Sequence, residues 1–306
     1  MKRFIFLLAL IIILMTGCFA VKKSNNKIIV ASSFPCYDFA RAITKNTDIE
    51  VKLLLPSGVD MHSFEPTPKD VIDIEDALLF IYVGGESDEW VTGVLNTTGK
   101  NINKTFRLID SVELVNEANQ SILEGNNENE IDEHVWTSPI NAIKIINDMK
   151  NKLIELVPEY EKEFSENAEG YILEIQKIDE EIRNIVANSS KKELIFADRF
   201  PIIYFVLEYG LDYYAAFPGC AHEVEPNAKT ISQLINKVKK DKIPVIFKVE
   251  LSDGNIAKTI HKETGAKIRT FETAHNISKK DFDSGITYVD LMKRNIEVLK
   301  EALKWV

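Results

Sequence analysis

Three histidines of this chain stand in loops beside groups able to steer a metal ion. His62 lies in Gly58-Val59-Asp60-Met61-His62-Ser63-Phe64-Glu65-Pro66-Thr67-Pro68, where a nearby carboxylate can accept the second ring proton and fix the tautomer that binds. His134 follows Asp132-Glu133 and precedes Val135-Trp136-Thr137-Ser138-Pro139, and His275 closes the run Glu272-Thr273-Ala274. A fourth stretch, Pro218-Gly219-Cys220-Ala221-His222-Glu223-Val224-Glu225-Pro226, is dense in metal-capable side chains. Thiolate and imidazole both suit zinc, and a neutral Cys gives up its proton on binding. His222-Glu223 does not open a zinc-protease helix, because no second His follows at helical spacing. The chemistry on offer is capture of a divalent cation by imidazole, thiolate and carboxylate.

Those loops need a scaffold, and short β-branched runs alternating with helical patterns supply one. Residues 27–33, 51–55, 78–83 and 106–109 read as strands in the first half of the chain, and 193–197, 213–217, 243–249 and 266–271 in the second. Such alternation implies parallel sheets, whose ligand sites lie beyond the carboxyl ends of the strands. Between the halves, Pro158 to about Ser189 reads as one amphipathic rod. Phe164, Ala168, Ile175, Ile178, Ile182 and Ile185 recur on one face, against Glu161, Glu166, Lys177, Glu181 and Arg183 on the other. At 1.5 Å per residue the rod spans roughly 45 Å, longer than a helix inside one small domain needs. The expected fold is α/β, with two parallel-sheet lobes, 27–157 and 190–306, joined by a long rigid helix over 158–189.

The formal net charge of −10 argues against a nucleic-acid partner, whose phosphates need a basic surface, and suits a cation. Residues 1–17 read as an export signal: Lys2-Arg3 precede the apolar run 4–15, which is shorter than the ~20 residues of a membrane span. Met15-Thr16-Gly17-Cys18 resembles the lipobox of bacterial lipoproteins, with Met15 where Leu is usual. That resemblance implies cleavage before Cys18, a lipid on its thiol, and residues 18–26 as a tether. The protein would then be extracytoplasmic and anchored to the bacterial cell membrane. Cys36 and Cys220 remain, on opposite sides of the long helix, and an oxidising compartment leaves a bridge between them open.

Residues 58–68 resemble the first ligand motif of the zinc- and manganese-binding lipoproteins of bacterial ABC importers, the cluster A-I solute-binding proteins, and the resemblance makes His62 a metal ligand. Residues 132–136 resemble the family's Asp-Pro-His-x-Trp, with Glu133 in place of Pro, and make His134 the second. The family's third ligand, a His or Glu, falls at Arg199 when counted back from Tyr209-Gly210-Leu211. A guanidinium has no lone pair to give. The replacement is sought first at Cys220, then at His222, then at Asp198. His275 occupies nearly the place of the family's fourth ligand, usually Asp. Glu225-Pro226 matches a helix start in the family, and His261 reads as a surface residue. Tyr288, Met292 and Asn295 match the family's closing pattern.

What this resemblance implies is capture of Zn²⁺, with Mn²⁺ second, by a monomer that delivers the ion to an ABC permease and its ATPase. Three imidazoles with Cys or carboxylate favour zinc, because manganese prefers more oxygen. The rival reading is a cell-surface zinc hydrolase with Glu250 or Glu223 as base, although no catalytic motif occurs. A metal chelate or organic anion held by Arg199 is the other.

Overall fold

The computed structural model describes residues 27–59, 61–98, 104–116, 131–217 and 228–305. The export signal, the tether and the loop with Cys220, His222 and Glu223 lie outside them.

The first half builds β1 (Ile28–Ala31), α1 (Phe34–Ile43), β2 (Glu50–Leu53), α2 (Pro68–Asp76), β3 (Leu79–Tyr82), α3 (Glu89–Thr98), β4 (Thr105–Arg107) and α4 (Pro139–Leu156). After α5 (Glu161–Ala187) come β5 (Glu193–Phe196), α6 (Ile203–Tyr209), β6 (Asp212–Ala215), α7 (Ala228–Asp241), β7 (Val245–Val249), α8 (Asn255–Thr264), β8 (Lys267–Phe271), α9 (Lys279–Asp283) and α10 (Tyr288–Leu303). The two sheets have the strand orders β2-β1-β3-β4 and β6-β5-β7-β8, all parallel, so the chain uses one topology twice. In each sheet the order reverses beside the first strand, and a crevice opens there beyond the carboxyl ends.

Local chemistry sets the helix starts that matter for the loops. Thr67 caps α2 in a reciprocal box with Asp70, and Pro68 at the first position needs no N–H partner. Ser138 caps α4 by accepting from the Asn141 N–H, again with a proline following. The long helix begins later than its periodicity predicts. Pro158–Tyr160 form a separate 3₁₀ turn after Val157, which is not helical, and the α-helix runs from Glu161 for 27 residues.

The helix α5 is a shared wall rather than a bare connector. It packs on α1 and α4 of the first lobe and on α10 of the second. Phe164, Ala168, Ile175, Ile178, Ile182 and Ile185 are buried along it, within one apolar cluster that reaches both sheets. Cys36 is a free, fully buried thiol that accepts from the Ser33 hydroxyl at 3.3 Å, and burial pushes it up to about 12. Among the described residues no helix is long and apolar enough to cross a membrane.

Candidate metal centre

Four side chains converge where the carboxyl-end loops of the two lobes meet. His62, Glu133, His134 and His275 each offer one donor atom, and these atoms all lie within 4.8 Å of one another. The His275 ring centroid is 4.9 Å from that of His62 and 5.0 Å from that of His134, nearly perpendicular to both. Glu133 Oε1 is 3.7 Å from His62 Nδ1, and both side chains are under a tenth exposed. A tetrahedron with bonds of about 2.1 Å has edges of about 3.4 Å, so an ion would draw these donors in by little.

Three of the four donors, His134, Glu133 and His275, are held from behind. Asp132 Oδ1 is 2.9 Å from His134 Nδ1 and also accepts the His134 N–H at 2.8 Å, which leaves Nε2 to face the cluster. Asp132 is fixed in turn: its carbonyl accepts from the Tyr204 hydroxyl at 2.8 Å, and Tyr204 belongs to α6 of the other lobe. Glu133 reaches the turn after β3, where Ser87 donates to both its oxygens: N–H to Oε2 at 3.1 Å, and hydroxyl to Oε1. His275 rides on the loop after β8. There Glu250, at the end of β7, accepts from the Thr273 N–H at 2.8 Å, the Thr273 hydroxyl at 2.5 Å and the His275 N–H at 3.1 Å. Burial holds the Glu250 carboxyl up at about 7. Ala274 sits at φ 59, a left-handed conformation that a residue with a Cβ adopts at some cost.

The same loop crosses to the first lobe. Trp136 Nε1 donates to the Thr273 carbonyl at 2.9 Å, and Asn276 donates to the carbonyls of Pro56 and Val59. The Gly58 N–H donates to the Ile277 carbonyl at 2.9 Å. His275 is therefore the second lobe's contribution to a site whose other three donors come from the first.

The three expected histidines are thus brought together. Cys220 and His222 lie outside the described residues. Asp198 stands apart from the cluster: its carboxylate accepts from the N–H groups of Arg199 at 2.9 Å and Val249 at 3.4 Å. Glu250, one of the two bases the hydrolase reading offers, has both oxygens engaged by the His275 loop, and Glu223, the other, lies outside the described residues. Glu133 is the donor that sequence reasoning passed over, as a small departure from a proline. A signal existed in a carboxylate adjoining a metal-capable His, and in Gly85, which makes room for it. His261, on α8, is exposed and its Nδ1 lies 2.8 Å from the Ala266 carbonyl.

Two doubly wound lobes on a common helix, closed over a buried three-histidine, one-carboxylate cluster, define a two-lobed solute-binding protein. The chain belongs to the ZnuA family, zinc-uptake complex component A, periplasmic, whose model matches residues 29–302. It is 30% identical over 290 residues to the high-affinity zinc uptake system protein ZnuA of Bacillus subtilis, covering 93% of this chain and 90% of that protein. Against the zinc-binding lipoprotein AdcA of Streptococcus pneumoniae strain R6 the identity is 29% over 308 residues, 98% of this chain but only 61% of AdcA. Among solved structures, the Zn(II)-bound ZnuA-like domain of AdcA matches at TM-score 0.76 and 28% identity, over 91% of this chain and 99% of that one. The metal-dependent lipoprotein YcdH of Bacillus subtilis matches at TM-score 0.77 and 29% identity, over 90% and 99%.

Proposed function

We propose that this protein captures a divalent metal ion, Zn²⁺ ahead of Mn²⁺, on His62, Glu133, His134 and His275, and hands it to the permease and ATPase of an ABC importer. The convergence of these four side chains from both lobes carries the reading. Relatives named for zinc uptake and zinc binding support the choice of ion, and so does a donor set of three imidazoles and one carboxylate. In this reading Glu133 takes the place that the sequence offers to Cys220, and it compensates for Arg199 where the family has a ligand. The mature chain acts outside the cytoplasm as a monomer, held on the membrane by a lipid on Cys18.

A competition titration of the chelator-stripped protein with Zn²⁺ and Mn²⁺ tests the proposal. One tight equivalent of Zn²⁺, weakening as the pH falls and the imidazoles protonate, is the expected result. Tight binding of neither ion would sink it. Glu133→Ala should weaken zinc binding at least about tenfold, while Cys220→Ser should leave it unchanged. The opposite pattern would return the ligand to Cys220.

A further inference from the structure

Glu133 is not simply near the histidines; it is gripped. The turn after β3 carries Gly85, and a Cβ at that position would lie 2.1 Å from Glu133 Oε2 and 2.2 Å from Glu133 Cβ. The missing side chain lets the carboxylate lie against the backbone, where the Ser87 N–H reaches Oε2 at 3.1 Å and the Ser87 hydroxyl reaches Oε1. Ser87 is 6% exposed and Glu133 4%, so water does not compete for these bonds. Oε1 is the oxygen on the imidazole side, 3.7 Å from His62 Nδ1.

A carboxylate can give a metal one oxygen or two. Two-oxygen binding here would need the carboxylate to rotate until both oxygens face the imidazoles, and that rotation breaks the Ser87 hydroxyl bond to Oε1 as well as the N–H bond to Oε2, leaving buried donors unsatisfied. We propose that Ser87 is a specificity-determining residue: by holding both oxygens of Glu133 it confines the carboxylate to one-oxygen binding. The result is a four-coordinate set of three nitrogens and one oxygen. Zinc accepts that set readily, whereas Mn²⁺ favours a larger, oxygen-rich shell. Ser87 touches the ligand rather than the ion and acts through it. The inference rests on the four-ligand reading above.

The test compares the chelator-stripped parent protein with Ser87→Ala and Ser87→Thr. Each is titrated with Zn²⁺ and Mn²⁺ in competition and then with Co²⁺, whose visible bands are strong in four-coordinate sites and weak in higher ones. The parent should show strong Co²⁺ bands. Ser87→Ala should lose much of that intensity and narrow the zinc-over-manganese preference by about tenfold, the usual scale for removing a group that orients a ligand. Ser87→Thr, which keeps the hydroxyl, should restore both. Ser87→Cys, similar in size with a weaker donor, gives the same readout if the alanine variant fails to fold. A Ser87→Ala protein with the parent's Co²⁺ spectrum and metal ratio would overturn the assignment to Ser87 while leaving the four ligands standing. A parent that binds no zinc would overturn both.

Discussion

At the scale of residues, the site depends on one absent side chain. Gly85 is backed by Glu133 so closely that a methyl group would meet the carboxylate and its Cβ at 2.1 and 2.2 Å, well inside contact distance. Because Glu133 Cβ is not the free end of a flexible chain, the 132–134 segment has to move with it. Gly85→Ala is expected to weaken zinc binding at least about tenfold and to cost about 1–3 kcal/mol of stability, the range for overpacking a buried site. Isothermal titration and thermal melts of the metal-free protein would measure the two. Normal affinity in a folded Gly85→Ala protein would remove Glu133 from the ligand set. This coupling also marks the limit of what the sequence could say. His62, His134 and His275 stand in loops whose placement follows from the strand pattern. Nothing in the linear order, however, puts Gly85 and Ser87 against Glu133, almost fifty residues on. That contact is made only in the fold, where the segment carrying Glu133 meets the turn after β3. Arg199 stands where the resemblance expects a ligand, but nothing in the linear order leads from it to Glu133.

At the scale of elements, the strand and helix periodicities were readable to within a few residues, because each sheet is parallel and its strands are buried runs. The turns beyond the strands were not, since their shape is set by side chains that accept backbone N–H groups. Asp88 shows this. Its Oδ2 accepts from the N–H groups of Val83 at 2.6 Å and Gly84 at 3.0 Å, and from the Ser32 hydroxyl at 3.5 Å, which shapes the turn that carries Ser87. Burial, and to a lesser degree the charge of Glu133, pushes Asp88 up to about 7 from an ordinary 3.8. The fold therefore holds this proton to higher pH than the unfolded chain does. The contribution is fully present below the unfolded value and is lost as the pH rises through about 7. Asp88→Asn keeps an oxygen for the same three donors and removes the charge. Melts of the metal-free protein between about pH 5 and pH 7.5 should fall less steeply with pH for Asp88→Asn than for the parent. An identical slope in both would show that Asp88 titrates at its ordinary value.

At the scale of the whole molecule, the two lobes behave as one body because their back is shared. One apolar cluster runs from β1 and β3 through α5 to β5, β7 and α10. A buried acid fastens the same region. Asp38, on α1, accepts from Arg41 Nε at 2.8 Å, from the Tyr171 hydroxyl on α5 and from the Tyr288 N–H at 2.9 Å at the start of α10. Arg41 also donates to the carbonyls of Gly285 and Ile286, so the pair ties the first lobe to the last helix of the second. Burial raises Asp38 from its ordinary value, and Arg41 is the largest influence holding it down. Taking Arg41 away leaves a fully buried carboxyl with one phenol and one N–H. Breaking such a pair costs 3–5 kcal/mol when both partners are buried. The Arg41 side chain is 25% exposed, so a loss of about 3 kcal/mol is the better expectation for Arg41→Ala. Urea unfolding should show that loss as an earlier midpoint of a single transition, coincident by tryptophan fluorescence and far-ultraviolet circular dichroism. In a Trp305→Phe background the remaining Trp90 and Trp136 report the first lobe and its seam with the His275 loop, whereas backbone dichroism reports both lobes. Separated curves would mean that the lobes unfold independently and that the shared core does not couple them. A single curve that shifts with Arg41→Ala would place the mechanical continuity of the clamp at its back. Opening for metal release would then have to come from the His275 loop and the contacts around Trp136 and Asn276, not from a loose joint behind.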